Sequence, residues 1–180
     1  YIRYDDRPYS YDPASLIAYA NMAAKTPGLT YADWQRAHVT ALLQRVRDEA
    51  LPLRTRARLT ASAWPIYKDH WGWFNGYDGY SARYQDSQGW AANNVVSAII
   101  PMMYGPSFTL YRDRYQTMTQ DFVQGAGQGG VFMGITGEYT SFTEIAWRIE
   151  TARSLGARGQ AFFSYRLMDE RGYWQALRDG

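Results

Sequence analysis

Six carboxylates stand at or near the ends of apolar segments and could take part in acid–base chemistry: Asp5, Asp6, Asp86, Glu138, Asp169 and Glu170. Acid–base catalysis by carboxyl groups commonly uses a pair of them, one acting as the acid and the other as the base or nucleophile. Asp169 and Glu170 are better explained as charges in the first turn of a helix, where they interact favourably with the helix dipole. The other four are the candidates for catalysis.

Other chemistries find little support in the residue types. His38 and His70 are far apart with no carboxylate at metal-ligand spacing, and the chain has no Cys, so we predict neither a metal nor a cofactor. Ser164 lacks a nucleophile elbow and a paired His. The Gly-rich segment 125–130 precedes a strand instead of following one, which excludes a phosphate-binding loop.

Composition argues against two classes of partner. The formal net charge of +2 gives no electrostatic reason to expect nucleic-acid binding. No apolar run approaches the roughly 20 residues that a membrane-spanning helix needs.

At 180 residues, the chain is expected to form a single domain with its own core.

Aromatic residues are unusually abundant, at 17% of the chain. Many lie in the polar segment 66–87, which we predict to be a long loop: Trp71, Trp73, Phe74, Tyr77, Tyr80 and Tyr84. Loops of that length inside compact domains are usually functional, and flat rings can stack on a sugar or a base. An alternative is that these rings form a small cluster that fixes the loop. The sequence leaves both explanations open.

Four continuous apolar segments predict short strands covered on both faces, at 59–64, 97–104, 130–136 and 160–165. A fifth strand is predicted at 1–4. Helical patterns fall between them, at 34–51, 89–96, 141–156 and 169–177. Thr30 and Asp33 suit the start of the first helix, while a Ser141–Glu144 capping box and Gly156 suit the two ends of the third.

Strands that alternate with helices predict an α/β fold with a parallel sheet. We interpret the chain as a parallel (β/α) barrel fragment, strands four to eight of a TIM-type barrel, with a small open doubly wound sheet as the alternative. In a barrel, the C-terminal strand ends form one face, where the active site lies. Mostly polar or aromatic residues lie at or just after the end of each predicted strand: Arg3, Asp5, Trp64, Met102, Tyr104, Thr136, Glu138, Ser164 and Tyr165.

These strand ends resemble a known family. The segments YIRY, YQDSQGW, IIPMMYG, GVFMGITG and LGARGQAFFSY, in that order, are similar to the C-terminal half of bacterial glycosyl hydrolase-like family ten, a group of envelope barrels that act on peptidoglycan glycan strands. The family's first motif normally reads D-Y-I-R-Y-P, with Pro where this chain has Asp5. Its Q-D-W motif reads Gln85-Asp86-Ser87 here. The family often has an Asp at the start of the strand predicted at 97–104, where this chain has Ser97.

The resemblance implies a glycoside hydrolase whose N-terminal half lies outside this chain, so that residues 1–180 are the C-terminal part of one barrel. It favours Asp86 and Glu138 as the carboxylate pair. Arg3, as a cation that binds substrate or sets a pKa, and Asp5 would share the pocket-facing side of the first strand. The candidate sugar-binding residues are Trp64, Trp71, Trp73, Tyr104, Ser164 and Tyr165.

The predicted substrate is a bacterial envelope polysaccharide, most simply peptidoglycan glycan strands. Two alternatives remain: a non-catalytic carbohydrate-binding barrel, and a hydrolase of a secreted exopolysaccharide. The implied location is the cell envelope or the extracellular space, reached through a signal upstream of this segment. A half barrel would also leave two open strand edges, so we expect the chain alone to be inactive and either to self-associate or to adopt an expanded state.

Overall fold

The computed structural model describes residues 2–5 and 9–179. Four strands form one parallel sheet in the order β1-β2-β3-β4: β1 Thr60–Ala63, β2 Ala98–Met103, β3 Gly130–Thr136 and β4 Gly159–Phe163. The register pairs Thr60 with Ala98, Met102 with Gly134, and Thr136 with Phe163. The four strand predictions from continuous apolar segments are therefore confirmed.

Eight α-helices are found in the described ranges, and the longer ones connect the strands. They are α1 Pro13–Ala23, α2 Tyr31–Arg45, α3 Ser87–Ala92, α4 Pro106–Thr109, α5 Arg112–Gly125, α6 Phe142–Ser154, α7 Tyr165–Glu170 and α8 Tyr173–Asp179. A π-helical turn at Val46–Ala50 and a 3₁₀ turn at Leu51–Leu53 extend α2. None of these helices is both long and apolar enough to cross a membrane.

One face of the sheet carries the core. Alternate strand residues pack against helices α3, α5 and α6 in one buried cluster that includes Ala61, Ala63, Ile99, Met103, Val131, Met133, Trp90, Phe122 and Ala152. The strand order has no reversal in the described chain, and these three helices all pack on that one face. A doubly wound sheet needs a reversal and helices on both faces, so that alternative is excluded for this part of the chain.

The opposite face of the sheet is less completely covered. Its side chains include Ser62, Ile100, Phe132 and Ala161, which are all half-buried. Across this face Ser62 pairs with Ile100, Phe132 with Gly159, and Gly134 with Ala161. The residues that follow the strands on this side form the walls of the candidate site.

The prediction of a strand at 1–4 is wrong for the described residues. Residues 2–5 have no strand structure, and Tyr1 and Asp6 lie outside the described residues. The side-chain amide of Gln85 donates to the carbonyl oxygens of both Ile2 (2.9 Å) and Ser62 (3.3 Å). A side chain thus joins this segment to β1 where a main-chain ladder was expected.

The helix predictions are partly confirmed. Thr30 caps α2 by accepting from the Asp33 N–H (3.1 Å), although the helix begins three residues before Trp34. Ser141 caps α6, and Gly156 follows that helix with φ +96°. A backbone bond from the Ala157 N–H to the Ala152 carbonyl (2.9 Å) completes a Schellman ending.

The predicted helix at 169–177 is wrong, because Gly172, with φ +67°, separates α7 from α8. Asp169 and Glu170 therefore end a helix and do not begin one, so the dipole does not stabilise them. Glu170 instead pairs with Arg166 on the surface (3.4 Å). The helix predicted at 89–96 is α3, which begins two residues earlier. Three helices were not predicted from the sequence: α1, α4 and α5.

Candidate functional site

A cleft of about 430 Å³ opens at the C-terminal ends of β1 and β2. Most of its wall is apolar or aromatic. The lining residues are Arg3, Trp64, Pro65, Ile66, Phe74, Tyr77, Met102, Tyr104, Gly105, Pro106, Ser107 and Phe108. A mostly apolar concave site with a few polar groups at this edge of a parallel sheet is the usual form of a ligand site in α/β proteins.

Two arginine side chains pack on the β1 side of the cleft. Trp64 follows β1, and its ring contacts the guanidinium groups of Arg3 (5.3 Å) and Arg83 (4.3 Å). The buried Arg83 also donates to the Tyr77 hydroxyl and pairs with Asp5 (3.2 Å). These contacts fix the Trp64 ring, and they bring Arg3 into the cleft wall as the sequence predicted.

Gln85 connects the β1 side to the N-terminal segment. Its side chain is fully buried, and its Oε1 accepts a hydrogen bond from the Trp64 N–H (2.8 Å). Because its amide nitrogen donates to the Ile2 carbonyl, one side chain positions the backbone just before Arg3 and at Trp64. Ile2 and Tyr4 pack against the core cluster, and Arg3 between them lines the cleft.

Tyr104 forms the β2 side of the cleft and lies across β3. A Cβ at Gly134 would lie 2.5 Å from the Pro101 carbonyl oxygen and 3.0 Å from the Tyr104 hydroxyl, so only Gly leaves room for this ring. On its other side, Tyr104 stacks on Phe163 at the end of β4, with ring centroids 4.9 Å apart and planes inclined by 22°.

The helix α4 forms the third wall of the cleft, and a buried arginine binds its backbone. Arg148 donates to the Phe108 carbonyl (2.7 Å), which also accepts from the Tyr139 hydroxyl (3.1 Å). Its charge is paired with Glu144 (2.7 Å). Hydrogen bonds from Arg112 and then from Arg148 hold the pKa of Glu144 below its ordinary value. No sequence pattern indicated this cluster.

Two aspartates order the aromatic loop. Asp69 accepts from the backbone N–H groups of Trp73 (2.9 Å), Phe74 (2.8 Å) and Gly76 (3.1 Å). Burial alone would raise the pKa of Asp69, but the N–H groups of Phe74, Gly76 and Trp73 lower it below its ordinary value. The buried Asp78 accepts from the Asp69 N–H in turn (3.0 Å).

Both explanations for the loop aromatics apply, to different rings. Phe74 and Tyr77 reach the cleft, where Phe74 stacks on Phe108 with centroids 6.2 Å apart. Trp71 and Trp73 stack on each other (5.3 Å) and pack against the core. They do not line the cleft, although the sequence predicted both as sugar-binding residues.

The structure separates the predicted carboxylate pair from the cleft. Asp86 faces a different hollow, beside Arg36 and Tyr80, and accepts from the Tyr67 hydroxyl (2.7 Å). Burial, together with this hydrogen bond, raises the pKa of Tyr67. Glu138 is exposed after β3, and its backbone N–H bonds the Thr136 hydroxyl (3.2 Å).

Asp5 lies at the rim, 67% exposed and 3.7 Å from Arg3. Among the described residues, no carboxylate lines the cleft. The hollow beside Asp86 and the cleft share no lining residue, so Asp86 and Glu138 are not brought together there.

Two further predicted residues lie at the end of β4, outside the cleft. Ser164 precedes α7, and Tyr165 is its first residue, lying against Trp174 with ring centroids 5.4 Å apart. Of the predicted sugar-binding residues, Trp64 and Tyr104 line the cleft. Phe74 and Tyr77 were predicted only as loop aromatics that either bind a ligand or fix the loop, and Met102 only as a strand-end residue, although it shares a sheet face with Tyr104. The α4 wall was not predicted from the sequence.

Within residues 2–5 and 9–179, no three His, Cys, Asp or Glu side chains are close enough together to hold a metal ion.

Comparison with known proteins places the chain in no family. No family model matches it, and no curated protein matches it. A solved structure described as a monomeric dihydrodipicolinate synthase variant matches 68% of this chain at 18% identity, with a TM-score of 0.41. The chain spans 41% of that protein's length. Similarity at this level carries no functional argument.

Proposed function

We propose that this chain binds a polysaccharide in the cleft at the C-terminal ends of β1 and β2, as the glycan-binding part of a glycoside hydrolase-like (β/α) barrel. The observation that carries the proposal is the cleft wall itself. Trp64, Phe74, Tyr77 and Tyr104 surround it, and Arg3 is the charged side chain among the described lining residues. Flat aromatic rings beside a few polar groups suit the apolar faces and hydroxyl groups of a sugar.

These side chains are already held in place, which also favours binding. Asp69 ties down the loop that carries Phe74, Gln85 fixes the backbone at Trp64, and Arg148 fixes α4. A wall that is already ordered loses less conformational entropy when a ligand binds. Envelope glycans, and peptidoglycan glycan strands first among them, are the substrates that we propose, in the cell envelope or outside the cell.

Hydrolysis of the bound glycan is the second candidate. It is favoured by Asp5, a carboxylate at the cleft rim beside Arg3, and by the exposed Glu138 at the end of β3. Hydrolysis needs two carboxyl groups on opposite sides of one glycosidic bond. Since no described carboxylate lines the cleft, binding is the function that this chain supports best.

Calorimetric titration tests the binding proposal. Peptidoglycan glycan strands, a secreted exopolysaccharide and a neutral plant glucan would be titrated into the protein, with Tyr104→Ala and Phe74→Ala as cleft variants. We expect an envelope glycan to bind, and each variant to weaken it about tenfold, which corresponds to about 1.4 kcal/mol. Tyr11→Ala, a change at an exposed tyrosine outside the cleft, is the matched control and should bind as the unmodified chain does.

Absence of binding to every glycan would contradict the proposal, as would equal affinity in the cleft variants and the unmodified chain. Release of reducing ends from the same glycans tests the second candidate. Cleavage that is abolished by Asp5→Asn and Glu138→Gln, but kept by Asp86→Asn, would support hydrolysis with carboxylates at the cleft. Cleavage lost in Asp86→Asn would restore the pair predicted from the sequence.

A further inference from the structure

An aromatic surface continues beyond the cleft, over the end of β4. Phe163 is the last residue of that strand and is 49% exposed, and Tyr165, two residues later, is 70% exposed. The neighbouring Phe162 points the other way and packs against a buried cluster with Trp174 and Leu177. Exposed rings that are not used in the core, at the edge where the cleft opens, are available to a ligand.

This surface joins the cleft through one residue. Tyr104 lines the cleft on one side and stacks on Phe163 on the other, with ring centroids 4.9 Å apart. The register places Phe163 on β4, two strands from β2, and neighbouring strands are about 4.8 Å apart. The Tyr104 side chain spans this distance, so the exposed rings begin at the edge of the cleft with Phe163, and Tyr165 extends them beyond it.

The outer ring is held in place by its neighbours. Tyr165 packs against Trp174 (5.4 Å), and the Trp174 indole N–H donates to the Tyr165 carbonyl (3.3 Å). Trp174 itself meets Phe162 edge-on, with centroids 5.9 Å apart. An aromatic side chain that is already ordered costs little entropy to use in binding.

We propose that Phe163 and Tyr165 bind the outer sugars of the same glycan whose inner sugars occupy the cleft. The ligand is then a linear polysaccharide several sugars long, and its affinity increases with chain length. This inference rests on the proposed function, and it adds the ligand's length and direction, from the β1 and β2 ends toward β4.

Affinity for oligosaccharides of increasing length tests this inference. Fragments of the glycan that binds best would be separated by length and titrated into the unmodified chain, Phe163→Ala, Tyr165→Ala and Tyr104→Ala. We expect affinity to rise with length and then to level off. Phe163→Ala and Tyr165→Ala should bind the shortest fragments normally and the longest about tenfold more weakly, while Tyr104→Ala should weaken every length.

The control variant is Tyr111→Ala, a change at an exposed tyrosine that lines neither the cleft nor the β4 end. Thermal melting of each variant checks that the fold is kept, which the exposure of Phe163 and Tyr165 favours. An equal loss at all lengths in the two β4 variants, or no loss at any length, would overturn this inference while leaving the cleft proposal intact. No binding at any length would overturn both.

Discussion

Replacing Gln85 with Leu tests how the cleft is built. Leu has nearly the same size, so the change removes hydrogen bonds without leaving a cavity. Gln85 is fully buried and joins three backbone groups: the Trp64 N–H (2.8 Å), the Ile2 carbonyl (2.9 Å) and the Ser62 carbonyl (3.3 Å). Without it, these groups lose their partner, and Ile2 loses its link to β1.

The loss of stability in Gln85→Leu can be compared with the loss caused by the same change at a second buried glutamine. An unsatisfied buried polar group costs about 1–3 kcal/mol, and the three groups at Gln85 are partly buried, so we expect a loss of about 3 kcal/mol in the free energy of unfolding. Gln35 is also buried, and it donates to the carbonyl of the exposed Tyr9 (2.9 Å). Water can replace that bond, so Gln35→Leu should cost about 1 kcal/mol.

Urea denaturation at matched protein concentration would measure both free energies of unfolding, and glycan titration would measure the effect on the cleft. We expect Gln85→Leu to be about 2 kcal/mol less stable than Gln35→Leu. It should also bind glycan more weakly, because Arg3 and Trp64 are no longer fixed, while Gln35→Leu should bind normally. Equal stabilities with equal affinities would refute the idea that Gln85 organises this wall.

Three further predictions concern the loop, the buried arginine cluster and the strand edges. Asp69→Ala removes the acceptor of three loop N–H groups, so limited proteolysis should cut the segment 70–78 faster and glycan affinity should fall with Phe74 no longer held. Arg112 and Arg148 lower the pKa of Glu144, so the ionised Glu144 stabilises the fold above its unfolded pKa of about 4.3, and this stabilisation is lost as pH falls through the lower folded pKa. In urea titrations, the difference in the free energy of unfolding between the unmodified chain and Glu144→Gln should therefore disappear between pH 5 and pH 3. In the described chain β1 and β4 each pair with one strand only, so size-exclusion chromatography should show self-association, and a compact monomer at all concentrations would contradict this.

The strands could be predicted from the sequence because their signal is local. Each is a short apolar run ending near Pro, Gly or a polar residue. The runs of β2 and β3 are continuous because residues on both faces of these two strands are buried. The caps at Thr30 and Ser141 are equally local, since a side-chain oxygen binds an N–H two or three residues ahead. These features survive in any tertiary context.

The site was harder to predict because it depends on contacts between distant segments. Trp71 and Trp73 have the composition of binding residues, but Asp69 folds their loop so that they stack on each other and on the core. Asp86 lies one residue from Gln85, yet the two face different surroundings: Gln85 turns inward to β1 and Asp86 bonds Tyr67. No local pattern indicates which of two neighbours turns inward.

The N-terminal segment shows the same limit. Alternation along a strand predicted Arg3 and Asp5 on the pocket side and Ile2 and Tyr4 on the helix side. Arg3 lines the cleft and Ile2 and Tyr4 pack against the core, but Asp5 lies exposed at the rim and the segment is not a strand. It could not show that a Gln85 side chain, from more than 80 positions away in the sequence, would stand where a strand ladder was expected. Long-range side-chain bonds of this kind carry no periodic signal.

The indole N–H signals of the tryptophans, followed by NMR during a glycan titration, test the central claim most directly. Trp64 lines the cleft, whereas Trp90 is fully buried with its N–H bonded to Thr40 (2.8 Å), and Trp34 lies in the buried part of α2. If the cleft binds glycan, the Trp64 signal shifts and saturates while the Trp90 and Trp34 signals stay in place. Saturable binding that leaves Trp64 unmoved would contradict the account.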